Sequence, residues 1–344
     1  MADSNSMRIP TPVGGTPMHI DGVPSILFAI AYGVLVPFIV ARMFRPGNRS
    51  ALLVGTSIYA IERVVVYSLR ASQAYGATRN TSGGLLIYLQ LSLAQGYITM
   101  AQDTVPLLRV MLVHATNPPV EDVIEPRHPE VKDNPRTDPT NKSKMRFWVR
   151  RAMDVLNLGF LAATVPNGVQ GGKYKTALHN QEEADKLQRF RYASTAVTLL
   201  FMLIIGVWTL YAYFRIANVR RAAALRILTI LALILPVPIY RFATMHFTIP
   251  DLLFTGPGSL ESGSSKALFY VFHCLPEWAT AALLVLPNTR KLFRTGAWGD
   301  WRGQDGQKGC VAARKEQREE KERKRLASVN VANGTGNPNM SSVV

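Results

Sequence analysis

The stretch Ala193–Phe214 reads ASTAVTLLFMLIIGVWTLYAYF and contains no charged side chain. It lies between Arg191 and Arg215, and its 22 residues would span the ~30 Å hydrocarbon core of a bilayer as a helix. A second uncharged run, Gly22–Ala41, has nearly the same length. A helix buried in a water-soluble protein normally keeps a polar stripe, so both runs favour membrane-spanning helices.

The overall composition hides these runs. The chain has 344 residues, of which 48% are hydrophobic, and its mean hydropathy of +0.08 is diluted by polar segments at 118–144 and 298–344. The formal net charge is +16. Because the basic residues flank apolar runs and no nucleic-acid-binding motif accompanies them, the positive-inside rule explains the charge better, and we expect no nucleic-acid partner.

The hydropathy pattern predicts an all-α, polytopic membrane protein that is a bundle of seven transmembrane helices. The fourth span is the weakest, because Pro166, Asn167 and a glycine-rich end reduce its apolar content. The predicted spans are 22–43, 50–69, 84–108, 153–172, 193–214, 222–247 and 267–286.

The charges of the connecting segments predict an outer N-terminus and an inner C-terminus. Residues 1–21 are then an extracellular segment, 22–286 the transmembrane domain with a flexible inner loop at 115–146, and 287–344 a basic, mostly disordered cytoplasmic tail. The plasma membrane is favoured over internal membranes. The arginines on the predicted inner side, before the tail, are Arg42, Arg45, Arg49, Arg215, Arg220, Arg221 and Arg226.

Ionisable and amide side chains at membrane depth are the candidate ligand-binding groups. Such residues are costly in hydrocarbon, so they normally face the interior of a bundle and pair there. The candidates are Glu62, Arg63, Gln95, Asp103, Arg241, His246, His273 and Glu277.

His273 and Glu277 lie four residues apart on one helical face, with Pro276 between them. One interpretation is a hydrated kink that binds a polar ligand group or relays a proton. The other is a polar seam that fixes the seventh helix to Arg63 or Arg241. The sequence leaves both interpretations open.

Signatures of catalysis and metal binding are absent from the sequence. It has no H-E-x-x-H, no G-x-S-x-G and no Cys/His metal spacing. We therefore expect neither an enzyme nor a cofactor or metal site. Cys274 lies in the seventh span and Cys310 in the tail, so the helix-to-loop disulfide of rhodopsin-like receptors cannot form in this orientation.

The sixth and seventh spans carry a family resemblance. Pro238–Phe242, Gly258–Ser262, Phe269–His273 and Leu275–Pro276 resemble the corresponding stretch of the fungal lipid-translocating exporters, which are linked to aminocholesterol resistance. The other positions that resemble this family are Glu62, Tyr67, Arg70, Tyr88, Leu89, Gln90 and Arg109. The resemblance implies seven helices and export of lipid-like amphiphiles such as sphingoid bases.

Together these features lead to the hypothesis of a bundle that binds a lipid-like cation in a cavity between the second, third, sixth and seventh helices. Glu62 and Glu277 would neutralise its amine, and Arg241 and His246 would hold an acidic headgroup or partner nearer the outer face. The alternative is a sensor resembling G-protein-coupled receptors, with a G protein at the inner face. Membrane lipids are partners in either case, and the sequence does not set an oligomeric state.

Overall fold

The computed structural model describes residues 8–45, 50–76, 83–116, 143–216, 218–252, 254–295 and 299–300. The chain divides into one unit at Met1–Gly299 and a second at Asp300–Val344. Asp300 is the residue of the second unit that the structure describes, so the fold given below is that of the first unit. Residues 117–142 of the predicted inner loop at 115–146, and residues 301–344 of the predicted tail at 287–344, lie outside the described residues.

Long helices account for most of the described chain. The first four are α1 (Gly22–Phe44), α2 (Val54–Tyr75), α3 (Gly83–Gln102) and α4 (Thr104–Ala115). Short 3-10 turns at His19–Asp21 and Ala51–Leu53 precede α1 and α2. Asp103 separates α3 from α4, and its carboxylate accepts hydrogen bonds from the backbone and hydroxyl of Thr56, both at 2.7 Å. The third predicted span is therefore two consecutive helices joined at Asp103.

Helices α5 (Ser143–Ala177) and α6 (Gln181–Arg215) form the longest pair in the described chain. Three residues connect them, and Asn180 caps α6 by accepting a hydrogen bond from the Glu182 backbone at 2.9 Å. Helix α6 begins 12 residues before the uncharged run at Ala193. The segment 173–192, between the fourth and fifth predicted spans, is therefore mostly helical, whereas the sequence indicated a basic outer loop there.

The remaining elements follow α6. They are α7 (Arg221–Ile234), α8 (Pro236–Thr244), α9 (Gly263–Phe269), a π-helical turn at Tyr270–Cys274, α10 (Leu275–Val285) and α11 (Thr289–Phe293). Leu235 separates α7 from α8 directly before Pro236, which starts α8. The seventh predicted span is thus a helix with a π-turn immediately before Pro276.

The N-terminal segment covers one end of the bundle. Strand β1 (Ile9–Pro10) pairs antiparallel with β2 (Thr248–Ile249), which follows α8. Nearby, Val13 bonds through its backbone to Gln90 near the start of α3, and the Tyr174 hydroxyl at the end of α5 donates to the Pro10 carbonyl at 3.2 Å. Because helix starts and helix ends meet there, consecutive long helices run in alternating directions.

The distribution of side chains is the reverse of that in a water-soluble protein. On α1, Val23 and Leu27 are each 61% exposed, and Ile30, Val34 and Phe38 continue the same face. Charged side chains are instead buried, as the cluster described below shows. Exposed apolar faces of this extent need an apolar solvent, so the protein is a multi-pass integral membrane protein.

Six helices in the described chain are long and apolar enough to cross a membrane. They correspond to the first, second, third, fifth, sixth and seventh predicted spans. The fourth predicted span lies within α5, which is helical but more polar than these six. An all-α polytopic fold is therefore confirmed, whereas a seventh crossing and the orientation of the termini stay predictions. The six helices are His19–Phe44, Ala51–Tyr75, Gly84–Ala115, Gln181–Arg215, Arg221–Thr244 and Gly263–Val285.

Candidate functional site

A buried ion pair joins the second and seventh predicted spans. Arg63 on α2 donates to Glu277 Oε1 on α10 from Nη2 at 2.6 Å and from Nε at 3.1 Å. Both side chains are fully buried. Arg63 also donates to the Ser92 carbonyl and hydroxyl on α3, so one guanidinium connects three helices. The polar-seam interpretation correctly names Arg63 as a partner of Glu277.

Glu62 lies at the edge of this cluster. One carboxylate oxygen accepts from Arg63 Nη1 at 2.9 Å and the other from the Tyr88 hydroxyl at 2.8 Å. Its side chain keeps 23% of its exposure, so it is the carboxylate of this cluster that remains partly accessible. The cluster of Glu62, Arg63 and Glu277 carries one net negative charge when both acids are ionised.

Gly96 on α3 makes room for the pair. A Cβ atom at this position would lie 1.9 Å from Arg63 Nη2 and 2.0 Å from Glu277 Oε1. Real Cβ contacts are essentially never this close, so any larger residue at this position would push the ends of both charged side chains away from the helix backbone.

His273 lies in the π-turn and is fully buried. Its Nδ1 atom is 3.8 Å from Glu277 Oε2, beyond hydrogen-bonding distance, and neither ring nitrogen has a hydrogen-bond partner among the described residues. The ring contacts Tyr97, Tyr240 and Phe269. A π-turn is often found at functional sites, and here it directs an imidazole into an aromatic cage beside the ion pair.

The structure places the other four candidates elsewhere. Gln95 bonds to Thr99, Thr164 and Asn167, which joins α3 to α5, and Asp103 binds Thr56 at the junction of α3 and α4. His246 is exposed and stacks on Phe247, with ring centroids 3.9 Å apart. Arg241 is buried and lies over the Tyr97 ring at 5.4 Å. Arg241 is thus buried and His246 exposed, and their suggested role in holding a headgroup stays a prediction.

A second buried charge cluster fixes the N-terminal segment to the bundle. The Asp21 carboxylate pairs with Arg70 of α2 at 3.0 Å and with Lys266 of α9 at 2.7 Å. Both cations also donate to the Gly14 carbonyl at 2.8 Å, and the Tyr270 hydroxyl donates to Asp21 Oδ1 at 3.0 Å. The charges and hydrogen-bonding groups of this cluster are paired with one another, so we assign it the structural role of holding the N-terminal segment on the bundle.

A groove of about 940 Å³ lies between α8, the π-turn and the loop that precedes α9. Its walls include Ile239, Leu268 and Phe272, which are 53%, 49% and 44% exposed and would face acyl chains. None of the eight candidate site residues is among the described residues that line it. The expected cavity also included the second and third helices, whereas this groove is bordered by the sixth and seventh predicted spans.

Comparison with protein-family models, curated proteins and solved structures gives no match. The resemblance to lipid-translocating exporters and the alternative of a receptor-like sensor therefore stay predictions from the residues quoted above.

Sequence reasoning missed three features of the site region. Gly96 has no distinguishing pattern in an apolar helix. Arg191 was assigned to the border of a span, yet α6 begins earlier and buries this arginine to 3% exposure. Ser92 was overlooked because a hydroxyl in a helix usually bonds to its own backbone. Within the described residues, no group of three His, Cys, Asp or Glu side chains is placed to hold a metal ion.

Proposed function

We propose that this integral membrane protein binds an amphiphilic, lipid-like molecule in the groove between α8 and the π-turn, as the resemblance to lipid exporters implies. The groove itself is the supporting observation. Its volume of about 940 Å³ falls within the range of small-molecule sites. Apolar side chains at its walls match an acyl chain and would admit it sideways from the bilayer.

The polar part of the groove suits a cationic headgroup. Thr255, Ser259, Ser262 and Ser265 supply hydroxyl groups, and Glu261 is the charged residue among the described lining residues. Glu261 accepts a hydrogen bond from Thr16 of the N-terminal segment, which places its carboxylate at the covered end of the bundle. An amine there would lie among the hydroxyl groups and beside the largely buried Glu261 carboxylate, while its chain follows Ile239 and Phe272.

The ion pair is assigned a different role in this proposal. Arg63 already neutralises Glu277, so a ligand amine would have to displace a bonded guanidinium to reach it. We therefore assign Arg63 and Glu277 to holding α2, α3 and α10 together, and the groove to binding.

Filling the groove tests the proposal. Ala243 lines the groove and is exposed, so Ala243→Trp places an indole where the acyl chain would lie. We expect photolabelling of the purified protein in nanodiscs by a diazirine-bearing long-chain amine to fall about tenfold, which corresponds to about 1.4 kcal/mol of binding free energy. Labelled peptides of the unsubstituted chain should come from 236–272.

Ala196→Trp is the matched control, because Ala196 is an exposed alanine on α6 away from the groove. It should label as the unsubstituted chain does. Equal labelling of both tryptophan variants would contradict binding in the groove. Stimulated nucleotide exchange on a co-expressed G protein, without amphiphile labelling, would support the receptor-like alternative instead.

The proposed orientation, with an inner C-terminus, can be tested with the natural thiols. The chain has two cysteines, and Cys274 is fully buried, so Cys310 is the thiol expected to react. A membrane-impermeant maleimide should label the chain only after cells are permeabilised. Cys310→Ser should abolish labelling, and a cysteine introduced by Ser4→Cys in that background should react on intact cells. Labelling of Cys310 on intact cells would reverse the orientation.

A further inference from the structure

Two buried arginines meet at a small cavity near the covered end of the bundle. Arg191 comes from α6 and Arg241 from α8, and each side chain is 3% exposed. The centre of a water-sized sphere can occupy about 10 Å³ of the cavity between them, so the cavity holds one small occupant that can be somewhat larger than water. Its polar lining also includes Gln90, Asn167 and Tyr174.

The guanidinium groups lack partners. Nη1 and Nη2 of Arg191, and Nε and Nη1 of Arg241, are buried without a hydrogen-bond acceptor among the described residues. No carboxylate of the described chain lies within 4.0 Å of either guanidinium. Four buried donor atoms without partners therefore belong to two side chains that line a cavity with room for an acceptor.

Neighbouring groups do not compensate these charges. The Tyr97 ring lies under Arg241 at 5.4 Å, but a ring face accepts none of the in-plane N–H groups. Glu277 attracts Arg241 electrostatically, yet it lies more than 4.0 Å from that guanidinium and already pairs with Arg63. The polar neighbours are occupied too: Gln90 bonds to the Val13 backbone and Tyr174 to the Pro10 carbonyl.

We propose that this cavity binds a small monovalent anion, of the size of chloride, between Arg191 and Arg241. An uncompensated buried charge costs several kcal/mol, and two like charges facing one cavity add their mutual repulsion. A single anion relieves both costs and accepts hydrogen bonds from both guanidinium groups. The volume of the cavity favours a halide over a phosphate headgroup.

The bound anion would join three parts of the fold. Arg191 and Arg241 belong to α6 and α8, and Asn167 belongs to α5, where its amide bonds to Gln95 at 3.0 Å. The cavity lies below the N-terminal segment, because its lining residues Gln90 and Tyr174 are the ones that hold Val13 and Pro10. Anion binding is therefore expected to stabilise the folded chain directly.

Thermal unfolding of the purified full chain tests the site. The detergent solution would contain sodium gluconate, whose anion is too large for the cavity, replaced stepwise by chloride or bromide at constant ionic strength. We expect Tm to rise saturably, by roughly 3–6 °C, because an anion that binds only the folded state stabilises it by mass action. A rise that is linear in salt and equal for all variants indicates a general salt effect and overturns the proposal.

Three variants make the test specific. Arg191→Gln and Arg241→Gln should lose the chloride response and should unfold in gluconate no more easily than the unsubstituted chain, because each removes an unpaired buried charge. Asn167→Asp places a fixed carboxylate on the cavity wall and should also lose the response. Arg215→Gln, at an exposed position at the other end of α6, should keep it.

A lipid source of the anion is tested separately. Nanodiscs of phosphatidylglycerol and of phosphatidylcholine, both in gluconate, should give the same Tm if a small free anion fills the site. Stabilisation by phosphatidylglycerol without stabilisation by chloride would overturn the assignment of a halide-sized ligand. A chloride response that persists in both arginine variants would also overturn it.

Discussion

Arg63→Met is expected to lower the free energy of unfolding by about 3–5 kcal/mol, because it leaves the Glu277 carboxylate buried without its cation. Replacing both residues, as Arg63→Met with Glu277→Met, should recover most of this loss, since an apolar pair of similar volume avoids the desolvation of both charges. Denaturant titration in mixed micelles measures the free energy of unfolding of the unsubstituted chain, of Arg63→Met and of the double variant.

The two single variants should differ. Glu277→Met leaves Arg63 with Glu62 at 2.9 Å and with the Ser92 carbonyl at 2.9 Å, so the remaining charge keeps partners. Arg63→Met leaves Glu277 facing a His273 that is 3.8 Å away. Arg63→Met should therefore be the more damaging variant. A double variant as unstable as Arg63→Met alone would show that the bonds of Arg63 to Ser92, rather than its charge pairing, carry the stability.

The sequence predicted the parts of this fold that depend on hydropathy. Hydropathy identified six of the helices, two of them as runs without charge, and the cost of charge in hydrocarbon correctly indicated that Arg63, Glu277 and His273 face inward. Spacing placed His273 and Glu277 on one face but left the partner of Glu277 open between Arg63 and Arg241. Only the packing of α2 against α10 selects Arg63.

Other features depend on contacts between residues that are far apart in the sequence, which local sequence patterns do not predict. Asp21 forms an ion pair with Lys266, more than two hundred residues away in the sequence. In the sequence, each of them is merely the charged residue directly before a predicted span, at 22–43 and 267–286. Arg191 was set outside the bilayer because a charged residue ends an uncharged run. A long arginine side chain can instead turn into a bundle while its backbone continues the helix. This brings Arg191 to the same small cavity as Arg241.

The sequence pattern did not predict the groove either. It forms because α8 ends at Thr244 and the chain returns through a loop to α9, which leaves the sixth and seventh spans apart at this end. The candidate residues were chosen for charge, whereas the walls of the groove are apolar side chains that resemble any lipid-facing surface. The charged candidate residues therefore identified positions in the buried core, whereas the groove is lined by other residues.

Gly96→Ala is expected to displace the ion pair and to lower the free energy of unfolding by about 1–3 kcal/mol, the usual cost of overpacking a buried site. The added Cβ would overlap both Arg63 Nη2 and Glu277 Oε1, and neither atom can retreat without giving up a buried bond. Gly33→Ala on α1 is the matched control, because a Cβ there meets no atom within 4 Å. Alanine at that position should stabilise the helix by up to about 1 kcal/mol.

The same substitution in the Arg63→Met and Glu277→Met background separates two explanations for the glycine. If Gly96 is needed because the charged side chains press on α3, its replacement by alanine should cost much less once Arg63 is replaced by the shorter methionine and neither side chain is charged. If α3 instead needs a glycine to approach α2 or α10 closely, the cost should be the same in both backgrounds. The coupling energy from this cycle therefore measures how far one ion pair determines the residue on a neighbouring helix.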